Sequence, residues 1–417
     1  DVTTGVNNVL IGALAGDALT DADFNVAMGF QALTTDTLGS ASTAIGHHAL
    51  QTQNVGSATN MFNTALGYQA GKSVTTGTIN TLVGAGAGDA LNTGEGNTAL
   101  GRNALGSDTK GDLSVAIGYA ALGNQNFSSN TDAYNVGVGF NAGGSITTGV
   151  QNTIIGGVAG DALTDADHNV AIGYLALSSD TKGNKSVAIG REALENQNFT
   201  SSTDTQNVAV GNKAGTSVTT GQNNTFIGSL AGDGTDDGSN NTALGYLALS
   251  ANCGNSNVGI GSQALKQVTG ADNTGCGLLA GGNITSGDNN LCLGHDSGIT
   301  GSPGGNITGA NNTIVLGDEN IQGLNAQVSL SVASDQRDKT DFTALDIGLD
   351  FVNKLSPYTY KWDKRSKYGD KYADDYDLDA QTPDGTHKED WLDVGFKAQE
   401  VEALEKSAGY KIEDKTN

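Results

Sequence analysis

Residues 114–118 read Ser114-Val115-Ala116-Ile117-Gly118, and the same pattern stands at Asn25-Val26-Ala27-Met28-Gly29 and Asn241-Thr242-Ala243-Leu244-Gly245. The shared form is Asn or Ser, then Val or Thr, a small residue, an aliphatic residue and Gly. With the Gly as register mark it recurs at 12, 29, 46, 67, 84, 101, 118, 139, 156, 173, 190, 211, 228, 245, 261, 277, 294 and 317. The intervals are 17 residues, apart from three of 21, two of 16 and a last one of 23. Ala stands three residues after the Gly in 16 of these 18 units, and Ser297 and Asn320 replace it where the array decays. A helical-hairpin repeat needs about 33 residues or more, so the period excludes it. A short β-favouring run closed by Gly makes one strand plus turns. Stacked units put equivalent strands about 4.8 Å apart, so the array spans roughly 80 Å.

A longer period overlies the short one. Three intervals of 17 and one of 21 make 72, and segment 106–139 returns 72 residues later at 178–211. Segment 34–67 is a more diverged copy, and 15–29 returns at 159–173. Blocks of four units have been duplicated. Within a unit, strand alternation puts the Val/Thr and aliphatic positions on one face. We expect that face inside the coil, with the small residue facing outward against another chain. The Asn is expected to form a ladder between coils or to bond its own turn. Gly84-Ala85-Gly86-Ala87-Gly88 lacks the βαβ setting of a dinucleotide site, and corner and core roles account for these residues.

Composition supports a division near residue 333. Of 21 Lys+Arg, 8 lie in 1–333, and of 61 Gly, 56 lie there; both Trp lie beyond it. The net charge of -24 and scarcity of basic residues argue against nucleic acid and anionic membrane as partners. No apolar run reaches the length of a bilayer span, so no membrane insertion is expected. Three Cys rule out a full disulfide framework; Cys276 and Cys292 fall at strand positions of opposite parity and read as small hydrophobes. The five His show no zinc spacing, and no metal or other cofactor is expected. The first residues already read as repeat, so the chain is expected to be a fragment or processed product.

Residues 334–417 contain Ser334-Asp335-Gln336-Arg337-Asp338-Lys339, then Leu355-Ser356-Pro357-Tyr358-Thr359-Tyr360-Lys361-Trp362, then Gly395-Phe396-Lys397-Ala398-Gln399-Glu400-Val401. The pattern predicts a small α+β unit: a helix over 342–355 ending before Pro357, a strand over 358–362, a helix over 398–407 and a charged insert over 364–390. A spacing of five puts Lys339 within about one helical turn of Ser334 if that segment is helical. Asp335 reads as a cap and Arg337 as a partner of Asp338 or Asp341.

Two resemblances follow. Residues 5–317 resemble the head repeats of trimeric autotransporter adhesins, which implies a mainly β fold: a left-handed parallel β-roll, a β-solenoid packed as a homotrimer. The longer unit here keeps an interwoven triple β-helix as the alternative. Residues 334–417 resemble the intramolecular chaperone domain of phage endosialidases and tail fibres, the self-cleaving S74 peptidase family. That resemblance implies a domain that drives trimerisation of the fibre before it and is then removed at Ala333–Ser334, with Ser334 as nucleophile and Lys339 as its partner. A desolvated Lys can take the hydroxyl proton, and a Ser just after the cut bond reaches the preceding carbonyl within its own chain. The family continues into a trimeric helical bundle, so the domain is expected to be truncated at Asn417.

Together these expectations describe 1–333 as a repeat shaft and 334–417 as its chaperone. The chain reads as a trimeric phage tail fibre of the virion, extracellular, attaching to a host-surface receptor (a glycan or an outer-membrane protein) and joined to other tail proteins. Autoproteolysis by a Ser–Lys dyad is expected, with no activity on an external substrate. A bacterial trimeric surface adhesin is the first alternative and a polysaccharide-degrading tailspike the second, with Asp161/Asp165 or Asp233/Asp236/Asp237 as carboxylates that read more simply as turn residues. The longer turns at 51–62, 123–134 and 195–206 carry the candidate receptor contacts Phe62, Phe127, Tyr134 and Phe199, with buried spacer aromatics as the bland alternative.

Overall fold

Each V-A-I-G motif forms one three-residue strand, and the Gly ends it. Gly118 has φ 131°, and a Cβ on it would lie 2.3 Å from the Gly139 carbonyl oxygen of the next coil. Only Gly satisfies both the backbone and that approach. Among the described residues, eighteen such strands from Val9–Ile11 to Ile314–Leu316 form one parallel sheet. Each pairs in register with the next coil of the same chain, as in Val115↔Val136, Ala116↔Gly137 and Ile117↔Val138. This is a parallel β-solenoid. An interwoven triple β-helix would alternate chains along the ladder, whereas here successive strands belong to one chain.

The computed structural model describes residues 2–324, 348–363, 368, 380, 382–388, 390 and 392–407. The chain divides into two compact units, Asp1–Leu324 and Asn325–Asn417.

The faces of the solenoid strand are the reverse of the expectation. Ala27, Ala116, Ala171 and Ala243, the small central residues, are fully buried. Val115 and Ile117, like their equivalents, face outward and are half-buried or exposed. The reason is the width of the coil. Across from the small residue, in two coils of each block of four, stands a large one four positions after the Gly, such as Leu33, Leu122, Leu177 or Leu249, all fully buried; in the third coil that position is Gly71, Gly143 or Gly215, and large side chains of the neighbouring coils pack against it. The opposite wall fills the interior and leaves the strand centre space for a methyl group.

Once per 72 residues this arrangement is swapped. Leu82, Ile154 and Phe226 occupy the strand centre, fully buried, and the facing positions become Gly88, Gly160 and Gly232. A Cβ on Gly232 would lie 2.5 Å from the Phe226 ring. Interiors packed this tightly permit large–small or small–large, but not two large residues.

The Asn position builds a buried ladder. Asn169 accepts from the Ser186 N–H at 2.9 Å, donates to the Gly183 carbonyl at 2.9 Å, and its own N–H donates to Asn152 Oδ1 at 3.0 Å. Asn80, Asn97, Asn224 and Asn241 repeat the pattern. Where the ladder carries Ser, the coil is longer. Gln125, from the four-residue insertion, donates to Ser114 Oγ at 3.0 Å and to Asp108 Oδ2 at 2.6 Å, and accepts from Asn135 Nδ2 at 2.9 Å. Asp36/Ser42/Gln53 and Asp180/Ser186/Gln197 form the same network. Each insertion thus supplies the amide that a shorter Ser cannot. The longer coils also add two-residue parallel pairs, Gly39–Ser40 with Thr59–Asn60, Gly111–Asp112 with Thr131–Asp132, and Gly183–Asn184 with Thr203–Asp204.

In the second unit a helix spans Gly348–Val352, strands Tyr358–Tyr360 and Asp393–Gly395 pair antiparallel, and a helix spans Ala398–Ser407. The first helix occupies part of the expected 342–355, of which 342–347 lie outside the described residues.

Candidate functional site

In the second unit, two of the three sequence motifs meet. Tyr358, after Pro357, pairs with Gly395, and Tyr360 with Asp393. Tyr358 Oη donates to Glu400 Oε2 at 3.0 Å. Lys397 Nζ lies 4.2 Å from the centroid of the Tyr358 ring and 2.8 Å from Glu400 Oε1. The hydrogen bond to Glu400 raises the Lys397 pKa above its ordinary value, and the bond from Lys397 holds the Glu400 carboxyl below its own. Trp362 Nε1 donates to Asp393 Oδ2 at 2.7 Å, and the Trp362 indole meets Tyr360 edge-on. The L-S-P-Y-x-Y-x-W and G-F-x-A-Q-E-V stretches are therefore one constellation, whose polar members hold the hairpin and second helix together. In the same unit Leu349, Val352, Leu392, Val394 and Phe396 are exposed. Ala333, Ser334 and Lys339, the expected cut bond and dyad, lie outside the described residues.

On the solenoid, the expected contact aromatics divide. Phe62 and Tyr134 are 57% and 50% exposed. Both adopt left-handed backbone conformations, at φ 52° and 49°. Phe127 and Phe199 are 5% and 7% exposed, and so are withdrawn from the set of receptor contacts. Each packs under its longer coil, where the Phe127 ring lies close to Gly111. The bland alternative for these two, a buried spacer, is the structure's answer.

The acidic groups considered for glycoside chemistry are held as turn residues. Lys182 Nζ lies 3.4 Å from Asp165 Oδ2. Asp236 accepts from the Thr219 hydroxyl and its N–H donates to Asn252 Oδ1 at 3.0 Å. Burial raises the Asp161 and Asp233 pKa values above the ordinary range. Among the described residues no group of three His, Cys, Asp or Glu gathers to hold a metal, and no helix is long and apolar enough to cross a membrane. Cys292 is buried, its thiol pushed up to about 11, while Cys276 is exposed on the outward face.

That outward face is the largest feature sequence reasoning misplaced. The residue before each register Gly is aliphatic from Ile11 through Met28, Ile45, Leu66, Val83, Leu100 and onward to Leu316, with Cys276 the exception. In-register pairing stacks them in one column about 4.8 Å apart, beside a second column of Val, Thr, Leu and Ile. Ile11, Leu66, Leu100 and Leu244 are exposed. The signal was present in the aliphatic character of the column at every position but Cys276; what sequence could not supply was which face pointed inward.

A parallel β-solenoid joined to a small α+β unit is the architecture these observations define. Residues 334–410 match the family model Peptidase_S74, chaperone of endosialidase, so the C-terminal part carries an S74 chaperone domain. No curated protein and no solved structure matches the chain.

Proposed function

We propose that the chain is a trimeric tail fibre of a phage virion, whose solenoid shaft attaches to the host surface and whose C-terminal domain assembles the trimer and then cuts itself off between Ala333 and Ser334. One observation carries this reading. An S74 chaperone domain follows a solenoid whose outer strand face carries a column of aliphatic residues broken only at Cys276. An exposed apolar column of that extent calls for another chain, and in a homo-oligomer the same column on neighbouring copies is the self-complementary answer.

The need for a chaperone follows from the repeat. The strand motif recurs at 17-residue offsets and longer stretches recur at 72-residue offsets, so three columns can pair out of register at small cost. Holding the chains together at one end raises their effective concentration and fixes the starting register. Cleavage afterwards leaves the shaft kinetically trapped, because the registering element is gone. In that cut, Lys339 takes the Ser334 hydroxyl proton, the oxygen attacks the Ala333 carbonyl, the peptide bond yields an ester, and water releases the two products.

Two variants test the reading. Ser334→Ala in the full chain is expected to assemble yet remain uncut on a denaturing gel; cutting of that variant removes Ser334 as nucleophile. Deleting 334–417 before folding is expected to give aggregates, and soluble, ordered trimers from the deleted chain would contradict a chaperone role. Attachment is tested by adding purified shaft to host cells: it is expected to block virion adsorption.

A further inference from the structure

One groove on the solenoid is lined by polar groups that no other part of the account uses. It has a volume of about 340 Å³, inside the range of about 300–1,000 Å³ typical of small-molecule sites. Its polar lining is Asp89, Asn103, Ser107, Asn124 and Asn141. The groove exists because three consecutive coils carry Gly five positions after the register Gly, at Gly106, Gly123 and Gly144. The equivalent coils of the preceding block carry Thr34, Gln51 and Lys72, and those of the following block Ser178, Glu195 and Thr216. The second block therefore lacks the side chains that occupy this position in its neighbours.

The chemistry of the lining selects an occupant. Each Asn amide offers both donors and an acceptor, Ser107 offers both, and Asp89 accepts. Groups of this kind suit a ligand rich in hydroxyls, each of which also gives and takes hydrogen bonds. No Lys or Arg lines the groove, and the chain's net charge of -24 repels anions. The residues immediately before Ala120 and Asn141 are Tyr119 and Phe140, whose rings stack with centroids 5.5 Å apart and planes 11° apart. The Arg102 guanidinium lies 5.6 Å from the Tyr119 ring centroid. A stacked aromatic pair beside a run of amides offers flat apolar area next to fixed polar groups.

We propose that this groove is a binding site for a neutral oligosaccharide, its hydroxyls held by Asp89, Asn103, Asn124 and Asn141. The proposal deepens the attachment reading above by naming the ligand class and the site. Coils stack about 4.8 Å apart, so equivalent groups recur along the groove and a linear chain of sugars is favoured over a single ring.

The test is saturation-transfer NMR and calorimetry on the full chain with maltotriose, cellotriose and chitotriose, and with 3′-sialyllactose as acidic comparator. At least one neutral trisaccharide is expected to bind more tightly than the acidic one. Gly123→Gln refills the groove with the side chain the protein itself carries at Gln51, and is expected to weaken binding about tenfold or more with thermal unfolding unchanged. Should that variant misfold, Asp89→Asn and Asn103→Ala, which add no bulk, are each expected to weaken binding. The proposal is overturned if no neutral trisaccharide binds, if the acidic sugar binds best, or if a folded Gly123→Gln chain binds as well as the parent. Adsorption to host cells without saccharide binding sinks the groove and leaves attachment standing. Saccharide binding that Gly123→Gln abolishes supports the groove even where the shaft adsorbs to no cell.

Discussion

Exchanging the large and small residues of one coil tests the packing rule that sets the solenoid's faces. Phe226 is fully buried at the strand centre and faces Gly232. Phe226→Ala removes the ring, and a loss of this size in a packed interior costs about 3–5 kcal/mol. Gly232→Leu alone drives a side chain into the Phe226 ring, which lies 2.5 Å from where its Cβ would stand; overpacking of this kind costs about 1–3 kcal/mol. The double variant recreates the Ala27/Leu33 coil found elsewhere in the same shaft. Leu33 adopts φ 51° at its position and Gly232 has φ 62°, so Leu can take the required backbone at about 1–2 kcal/mol. The double variant should therefore lie within about 2 kcal/mol of the parent, with a large favourable coupling between sites. Denaturant unfolding of all four proteins at one concentration measures the cycle. Additive losses, or a double variant worse than both singles, would refute the claim that width alone decides which strand face turns inward.

Three further outcomes follow from the ladder, the buried carboxyls and the dyad. Asn169→Ala strips the partners from the Ser186 N–H and the Gly183 carbonyl, and should cost about 2–6 kcal/mol at about 1–3 per orphaned group; hydrogen exchange should rise first at residue 186, and a loss under about 0.5 kcal/mol would dismiss the ladder as a stabilising element. Burial raises the Asp108 and Asp180 carboxyls above their ordinary value, against the hydrogen bonds from Gln125 and Gln197. Their contribution to stability is full below the unfolded value of about 3.9 and is lost as pH rises through the raised folded value. The parent should thus gain stability relative to Asp108→Asn/Asp180→Asn as pH falls from about 7 to 4, and a relative loss over that window in thermal melts would contradict the assignment. Lys339→Ala should slow self-cleavage strongly in a time course on the full chain, and normal cutting would dismiss it as the base.

The strands were legible because two of every five motif residues are β-favouring, they flank a small residue, and Gly ends each run on schedule. Tyr358–Tyr360 and the helix at Ala398–Ser407 were equally plain, one from alternation and the other from an unbroken run of helix formers. The inward face was not. Alternation says that Val115 and Ile117 share a side, but not which side is the interior; that depends on Leu122 reaching across from a stretch with no regular secondary structure. The exchange of Leu82 for Ala with Gly88 for Leu is a correlated change six residues apart, visible in the sequence once the coil's cross-section is known. The Asp108/Ser114/Gln125 network recurs at 72-residue offsets and was within reach of the same self-comparison. Phe62 and Tyr134 share one position of the 72-residue block, and Val55, Phe127 and Phe199 share another seven residues earlier in the same turn; the first position is exposed and the second buried. The groove was beyond reach for a different reason: it consists of missing side chains, and three glycines in a chain with 61 carry no mark.

A trimeric shaft requires that the aliphatic outer column be covered by further copies of the chain. Sedimentation equilibrium of the uncut Ser334→Ala chain measures this directly. A single species at three times the 42.2 kDa chain mass, unchanged on dilution, is the expected result. A well-behaved particle of one chain mass, with that column open to water, would contradict it.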